Sequence, residues 1–173
     1  MIGCTLTPQT ENVYFYDYSQ LLSLPQLRTN QSKLNGTSST LSETLNNADN
    51  ARITALFNDV RRELTSYGSF QSTWDGYAGV PFSESTITVA LEIINLAENV
   101  FKVNSLYPAD ITPGPASDGT IDIEIVFGNK SVYFIIDSDT QEIHYLNSET
   151  DRSENIPFER KSALAEKLAW LFA

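Results

Sequence analysis

The chain has 173 residues, of which 41% are hydrophobic, and 11 basic against 22 acidic residues give a net charge of −11. The hydrophobic content excludes a disordered chain, and the apolar runs are shorter than the roughly 18 residues that a membrane span needs. Sequence-independent binding to nucleic acid needs many clustered cations to contact the phosphates. The best cluster in this acidic chain has only three cations, Arg160, Lys161 and Lys167. We therefore expect a soluble protein that contacts no membrane and does not bind nucleic acid directly.

The N-terminal residues indicate where the protein resides. Cys4 is the single cysteine, so no internal disulfide can form. Residues 1–4 lack the basic and apolar regions of a secretory signal. Both features are typical of a reducing compartment, and the sequence therefore predicts a cytoplasmic protein.

Residues 1–40 are predicted to form an aromatic arm and a linker, and residues 41–173 a single α+β domain. Residues 14–18 read Tyr-Phe-Tyr-Asp-Tyr, which is rich in strand formers. Residues 29–40 are mostly Asn, Gln, Ser, Thr and Gly, a composition typical of a loop. The arm either covers the core of its own domain or contacts another chain. The second possibility predicts a structural homo-oligomer assembled through residues 1–30.

The first predicted helix starts at Thr40, where Thr40 and Glu43 have the spacing of a capping box. Asn46 and Asn47 are expected to break its first turns. Gly68 is placed to end the helix in a left-handed conformation. Intervals of three and four predict one buried stripe, formed by Ile53, Leu56, Phe57, Val60, Leu64 and Tyr67.

The second predicted helix begins after Ser83, the N-cap, and runs to about Val100. Its apolar residues cover most of its circumference, from Ile87 to Phe101. A helix of this kind is buried on more than one side. We therefore expect it to lie at the centre of the fold.

Three strands are predicted next, over residues 121–127, 132–136 and 143–146, because apolar and polar residues alternate and the connections are short. A shorter strand over residues 110–112 would add a fourth, ended by the Pro-Gly-Pro of residues 113–115. A last helix is expected from about Pro157, at its first position, to Leu171. The predicted fold is α+β: a three- or four-stranded antiparallel β-meander packed on one face by about three α-helices.

The sheet carries an acidic side. Residues 118–159 contain ten carboxylates and only two cations, Lys130 and Arg152. Alternation places His144 on the same face as Asp122 and Glu124. Such a face is either simply solvated or a docking surface for a basic protein, which long-range attraction would steer towards it. A third interpretation is a small hydrolase that uses His144 with Asp122 or Glu124 as acid and base.

The sequence lacks the residue patterns of calcium sites, zinc sites and serine hydrolases. Asp137, Asp139 and Glu142 share one turn, but the Gly and the final acid of a calcium-binding loop are missing at the required spacing. One His and one Cys cannot make a zinc site, and no Gly-x-Ser-x-Gly motif is present. We therefore predict no catalytic residue, no metal and no cofactor.

The segment between the first two predicted helices contains the sequence motif most typical of a protein family. Residues 74–83 read Trp-Asp-Gly-Tyr-Ala-Gly-Val-Pro-Phe-Ser. This segment resembles the Trp-Asp-Gly-Tyr-x-x-x-Pro-x-Ser pattern of small uncharacterised bacterial and phage proteins, and the likeness extends loosely over residues 74–150. The resemblance implies no activity. Trp74, Asp75 and Tyr77 either form a packed corner or bind a partner.

Together these features favour a non-catalytic protein that binds a basic partner protein, of the antitoxin, immunity or phage-encoded inhibitor kind. The residues predicted to bind the partner are Trp74, Asp75, Tyr77, Asp122, Glu124 and His144.

Overall fold

A computed structural model describes residues 39–137, 142–148 and 153–173. The elements in chain order are α1 (Ser39–Ser66), a 3-10 turn (Tyr67–Ser69), α2 (Glu84–Asn104), β1 (Asp110–Pro115), β2 (Ile121–Phe127), β3 (Lys130–Ile136), β4 (Glu142–Asn147), β5 (Ser153–Pro157) and α3 (Lys161–Trp170). Residues 1–38 of the predicted arm and linker, with Cys4, lie outside the described residues, and the last two residues of that predicted segment, 39 and 40, belong to α1. Within the described ranges, none of the helices has the length and apolar character needed to cross a bilayer.

The strands form one antiparallel sheet in the order β1-β2-β3-β4-β5, so each strand pairs with the next along the chain. The meander is confirmed, but it has five strands rather than three or four. The prediction missed β5 because Ile156 is its only strong strand former. Ile156 is buried opposite Ile143 of β4. Pro157, predicted to open the last helix, instead ends β5, and α3 begins at Lys161.

β1 is also longer than predicted. It continues through Pro113, Gly114 and Pro115, which pair with the first residues of β2. β1 lies at the edge of the sheet, where a proline that cannot donate a hydrogen bond is tolerated. The Pro-Gly-Pro segment is therefore part of the strand rather than a break before it.

α1 buries most of the predicted stripe: Ile53, Phe57, Val60 and Leu64 are buried, and Leu56 is partly buried. Its backbone remains helical at residues 46 and 47, so the expected break is wrong. Gly68 does not adopt the left-handed conformation, because the chain tightens there into the 3-10 turn. The side chains of residues 40 and 43 lie outside the described set, and the capping box stays a prediction.

α2 is the central helix, as predicted. Ser83 caps it, since its hydroxyl accepts a hydrogen bond of 3.0 Å from the Thr86 amide. The helix ends at Asn104, four residues later than expected, where Ser105 turns left-handed with φ of 52°. α2 packs against α1, α3, β2 and β3, which explains its nearly complete apolar circumference.

The helices do not all pack on one face of the sheet, contrary to the prediction. α2 lies against β2 and β3, whereas α1 packs mainly on α2 and meets the sheet at the edge strand β1. α3 in turn packs on α2. The fold is therefore mixed α+β, and α2 mediates much of the contact between helices and sheet.

The core is organised around Phe101 of α2, which is fully buried. Its ring centroid lies 6.2 Å from that of Phe57 in α1, 6.0 Å from Phe127 at the end of β2 and 5.1 Å from Phe172 after α3. The last contact is edge-to-face, a favoured arrangement of aromatic rings. One side chain thus joins two other helical regions and the sheet.

A buried carboxylate also joins α1 to α2. Glu98 forms ion pairs with Arg61 of α1 and, at 2.6 Å, with Lys102 one turn along α2. Burial raises the pKa of Glu98, but the hydrogen bonds from Lys102 and Arg61 outweigh it, and the pKa falls below its usual range. Glu98 therefore remains ionised and paired.

Glu98→Gln is expected to lower the free energy of unfolding by about 1–3 kcal/mol, because Arg61 and Lys102 lose a charged acceptor. Since the folded pKa is depressed, the stabilisation from Glu98 is present above its unfolded value of about 4.5 and is lost as pH falls below it. Urea unfolding at pH 7 and at pH 3 measures both effects. A variant as stable as the wild type at pH 7 would contradict the assignment.

Candidate functional site

The strand register defines the outer face of the sheet. Asp122 of β2 lies opposite Ile135 of β3, and Ile135 lies opposite His144 of β4. Glu124 lies opposite Tyr133. Asp122, Glu124 and His144 therefore share one face, because residues directly opposite in a ladder point to the same side. Asp122 is exposed, and Glu124 and His144 are half-buried.

His144 is separated from the carboxylates of that face. Two strand spacings of roughly 4.8 Å, about 10 Å in all, lie between Asp122 and His144. The His144 ring instead forms a hydrogen bond of 2.8 Å between its Nδ1 and Oδ1 of Asn155 on β5. An acid–base pair needs hydrogen-bond reach, so the geometry gives the hydrolase interpretation no support.

The two carboxylates of β2 differ in their surroundings. Glu124 accepts a hydrogen bond from the Tyr133 hydroxyl, and this bond raises the pKa of Tyr133. Although the Asp122 side chain reaches solvent, partial desolvation raises its pKa, and the nearby charge of Asp118 raises it further. Asp122 is therefore a carboxylate whose charge the fold disfavours.

Asp118, which the sequence interpretation did not select, belongs to this surface. It lies in the β1–β2 turn, where its Oδ1 accepts hydrogen bonds from the Thr120 hydroxyl (2.6 Å) and the Thr120 amide (3.0 Å). Both bonds lower the pKa of Asp118. The sequence Asp118-Gly119 just before a strand predicts a turn. It does not predict that the Asp118 carboxylate lies close to that of Asp122.

Trp74 lies in the packed corner between α1 and α2. Its ring centroid is 4.9 Å from that of Phe70 and 5.7 Å from that of Phe82. The indole Nε1 donates a hydrogen bond of 3.1 Å to the Val80 carbonyl. Trp74 therefore holds the loop to the aromatic cluster.

Asp75 also stabilises this loop. Its Oδ1 accepts hydrogen bonds from the amides of Tyr77 and Gly79, each at 2.9 Å. These two bonds lower the pKa of Asp75, that from Tyr77 most. Tyr77 itself is 87% exposed. Of the three residues predicted to bind a partner here, Trp74 and Asp75 stabilise the packed corner, and the Tyr77 side chain is exposed to solvent.

The loop has a strained and tightly fitted backbone. Thr73 has φ of 64°, a conformation that is unfavourable for a β-branched residue. Its amide donates a hydrogen bond of 2.7 Å to the Gly79 carbonyl, which closes the loop. At Gly79 an added Cβ would stand 2.7 Å from Trp74 Nε1 and 2.9 Å from Asp75 Oδ1. Only glycine fits at this position.

The loop and the β1–β2 turn are neighbours. The Val80 amide donates a hydrogen bond of 2.8 Å to the Ser117 carbonyl, and a Cβ on Gly119 would lie 3.7 Å from the Val80 side chain. Asp118 follows Ser117, and Asp122 follows within the same hairpin. The loop that carries Trp74, Asp75 and Tyr77 therefore adjoins the hairpin that carries Asp118 and Asp122, whereas His144 lies two strands away from Asp122.

Among the described residues, the acids of this surface enter no ion pair, whereas five cations pair with carboxylates elsewhere. The ion pairs formed are Arg61–Glu98, Lys102–Glu98, Arg62–Asp59, Lys161–Glu92 and Lys167–Glu154. Asp118, Asp122 and Glu124 are absent from that set. These three carboxylates therefore have no cationic partner among the described residues.

The described residues contain no group of three or more His, Cys, Asp or Glu side chains that could hold a metal ion. Asp139 of the acidic turn lies outside those ranges, so its role is untested. Comparison with protein-family models, with curated proteins and with solved structures found no match.

Gly79→Ala is expected to destabilise the protein by about 1–3 kcal/mol, because the new methyl group overpacks against Trp74 and Asp75. Gly68→Ala is the matched control: its Cβ would meet only Ile87, at an ordinary 3.5 Å. Thermal unfolding of both variants checks the difference. Equal melting temperatures would show that the loop is not held as described.

Proposed function

We propose that the chain is a non-catalytic module that binds a basic protein through this acidic surface, in the manner of an antitoxin, an immunity protein or a phage-encoded inhibitor. The observation that carries the proposal is that Asp118, Asp122 and Glu124 lie at one side of the sheet and form no ion pair among the described residues. A cationic partner would supply the missing counter-charges.

The surroundings of Asp122 support the same conclusion. Its raised pKa means that the folded state disfavours its charge at neutral pH. A carboxylate that opposes folding is expected where it serves another purpose, since function and stability often conflict at a binding site. A cation placed against Asp122 and Asp118 would relieve this unfavourable interaction.

The other predicted interpretation, a homo-oligomer assembled through residues 1–30, depends on residues outside the described ranges. The acidic surface does not require it. The predicted cytoplasmic location is compatible with a soluble partner of opposite charge and remains an expectation.

Charge reversal at Asp122 and Glu124 is expected to abolish capture of the partner. Asp122→Lys with Glu124→Lys is compared with Glu159→Lys with Glu166→Lys, which makes the same change in net charge at exposed positions near and on α3. The readout is affinity purification from the source organism, with the captured proteins quantified by mass spectrometry. A basic protein should be retained by the wild type and the control pair and lost from the Asp122–Glu124 pair. Undiminished retention by that pair would refute the proposed surface.

Asp122→Asn separates stability from binding. Because the folded pKa of Asp122 lies above its unfolded value, the ionised carboxylate lowers the stability of the fold once pH exceeds the folded value. The variant should therefore melt at a higher temperature than the wild type at pH 7, and the difference should vanish at pH 3. It should also bind the basic partner more weakly. A lower melting temperature at pH 7 would contradict this account.

A further inference from the structure

We propose that Tyr77 and Val80 of this loop, together with Asp118 of the adjoining β1–β2 turn, recognise an arginine side chain of the basic partner. This inference rests on the proposed function and assigns the chemistry of its contact point. Tyr77 supplies the aromatic face for the guanidinium, Val80 an apolar contact for the alkyl chain, and Asp118 the carboxylate.

The exposure of Tyr77 stands out within its own loop. The neighbouring aromatic residues Phe70, Trp74 and Phe82 pack together, whereas Tyr77 is 87% exposed and Val80 is 48% exposed. A single exposed apolar residue is common on protein surfaces. Here the two exposed residues lie three positions apart on one tight loop, beside an acidic turn.

The backbone that carries Tyr77 is fixed before any partner arrives. The Tyr77 amide is bound by Asp75, the Thr73 amide by Gly79, and the Val80 amide by Ser117. A tyrosine side chain has only two rotatable bonds, and a preordered loop loses little further entropy on binding. Such a side chain is well suited to anchor a partner.

The charge beside the loop identifies the kind of group that would bind there. Asp118 is held ionised by Thr120, and the Ser117 carbonyl next to it binds Val80. Among the described residues no cation pairs with Asp118. A positively charged side chain would complement this charge.

Two other tyrosines of the chain, one exposed and one buried, have a cation over the ring. Tyr107, which is 44% exposed, has the guanidinium of Arg52 over its ring at 5.2 Å, and Tyr145 has the ammonium of Lys167 at 5.1 Å. Tyr77 has no such cation within the described part of the chain. Arginine is favoured over lysine, because its planar group stacks on an aromatic ring and also binds a carboxylate through two hydrogen bonds.

The test uses two synthetic peptides of alternating glycine and basic residues with equal charge, one with four arginines and one with four lysines. Binding to the full chain is measured by titration calorimetry at low salt. The wild type should bind the arginine peptide about two- to fivefold more tightly than the lysine peptide. Tyr77→Ala should remove this preference, and Tyr77→Phe should keep it because the ring remains. Tyr107→Ala is the matched control and should leave the preference unchanged.

Asp118→Asn tests the carboxylate, since asparagine keeps the oxygen that accepts from Thr120 and removes the charge. It should weaken binding of both peptides. Equal binding of the two peptides by the wild type, a preference that survives in Tyr77→Ala, or undiminished binding by Asp118→Asn overturns this inference. If Asp122→Lys with Glu124→Lys still lowers the affinity for both peptides, the proposed function stands without it. Failure of the wild type to bind either peptide overturns both.

Discussion

The burial of α2 is the constraint on which the rest of the structure depends. Phe101 contacts aromatic rings from α1, from the end of β2 and from the segment after α3. The transfer of large aromatic side chains from water is among the strongest contributions to a core of this size. Because α2 packs against both other helices and the sheet, α1 and α3 make little direct contact with the sheet.

The corner before α2 follows from the same arrangement. Phe82 and Trp74 lie within the cluster that closes the junction between α1 and α2, and Asp75 and Gly79 complete a loop with no space for a side chain at its closing residue. Because the side chains of Trp74 and Asp75 stabilise the loop by inward contacts, other side chains of the loop face the solvent. Tyr77 is therefore exposed as a consequence of how its neighbours pack, next to the β1–β2 turn.

The distribution of charge divides the molecule. The described cations mostly stabilise the helices, as in the pairing of Arg61 and Lys102 with Glu98. The outer face of β2 and the adjoining turn retain uncompensated acid.

The sequence by itself determined the elements whose signals are local: the stripe of α1, the cap at Ser83 and the alternation in β2, which placed Asp122 and Glu124 on one face. It did not reveal β5, because Ile156 joins the sheet only through its pairing with Ile143. Nor did it separate Trp74 and Asp75, which stabilise the corner, from Tyr77, which is exposed. Those outcomes, and the distance between His144 and Asp122, depend on contacts between segments far apart in the chain, which local periodicity does not encode.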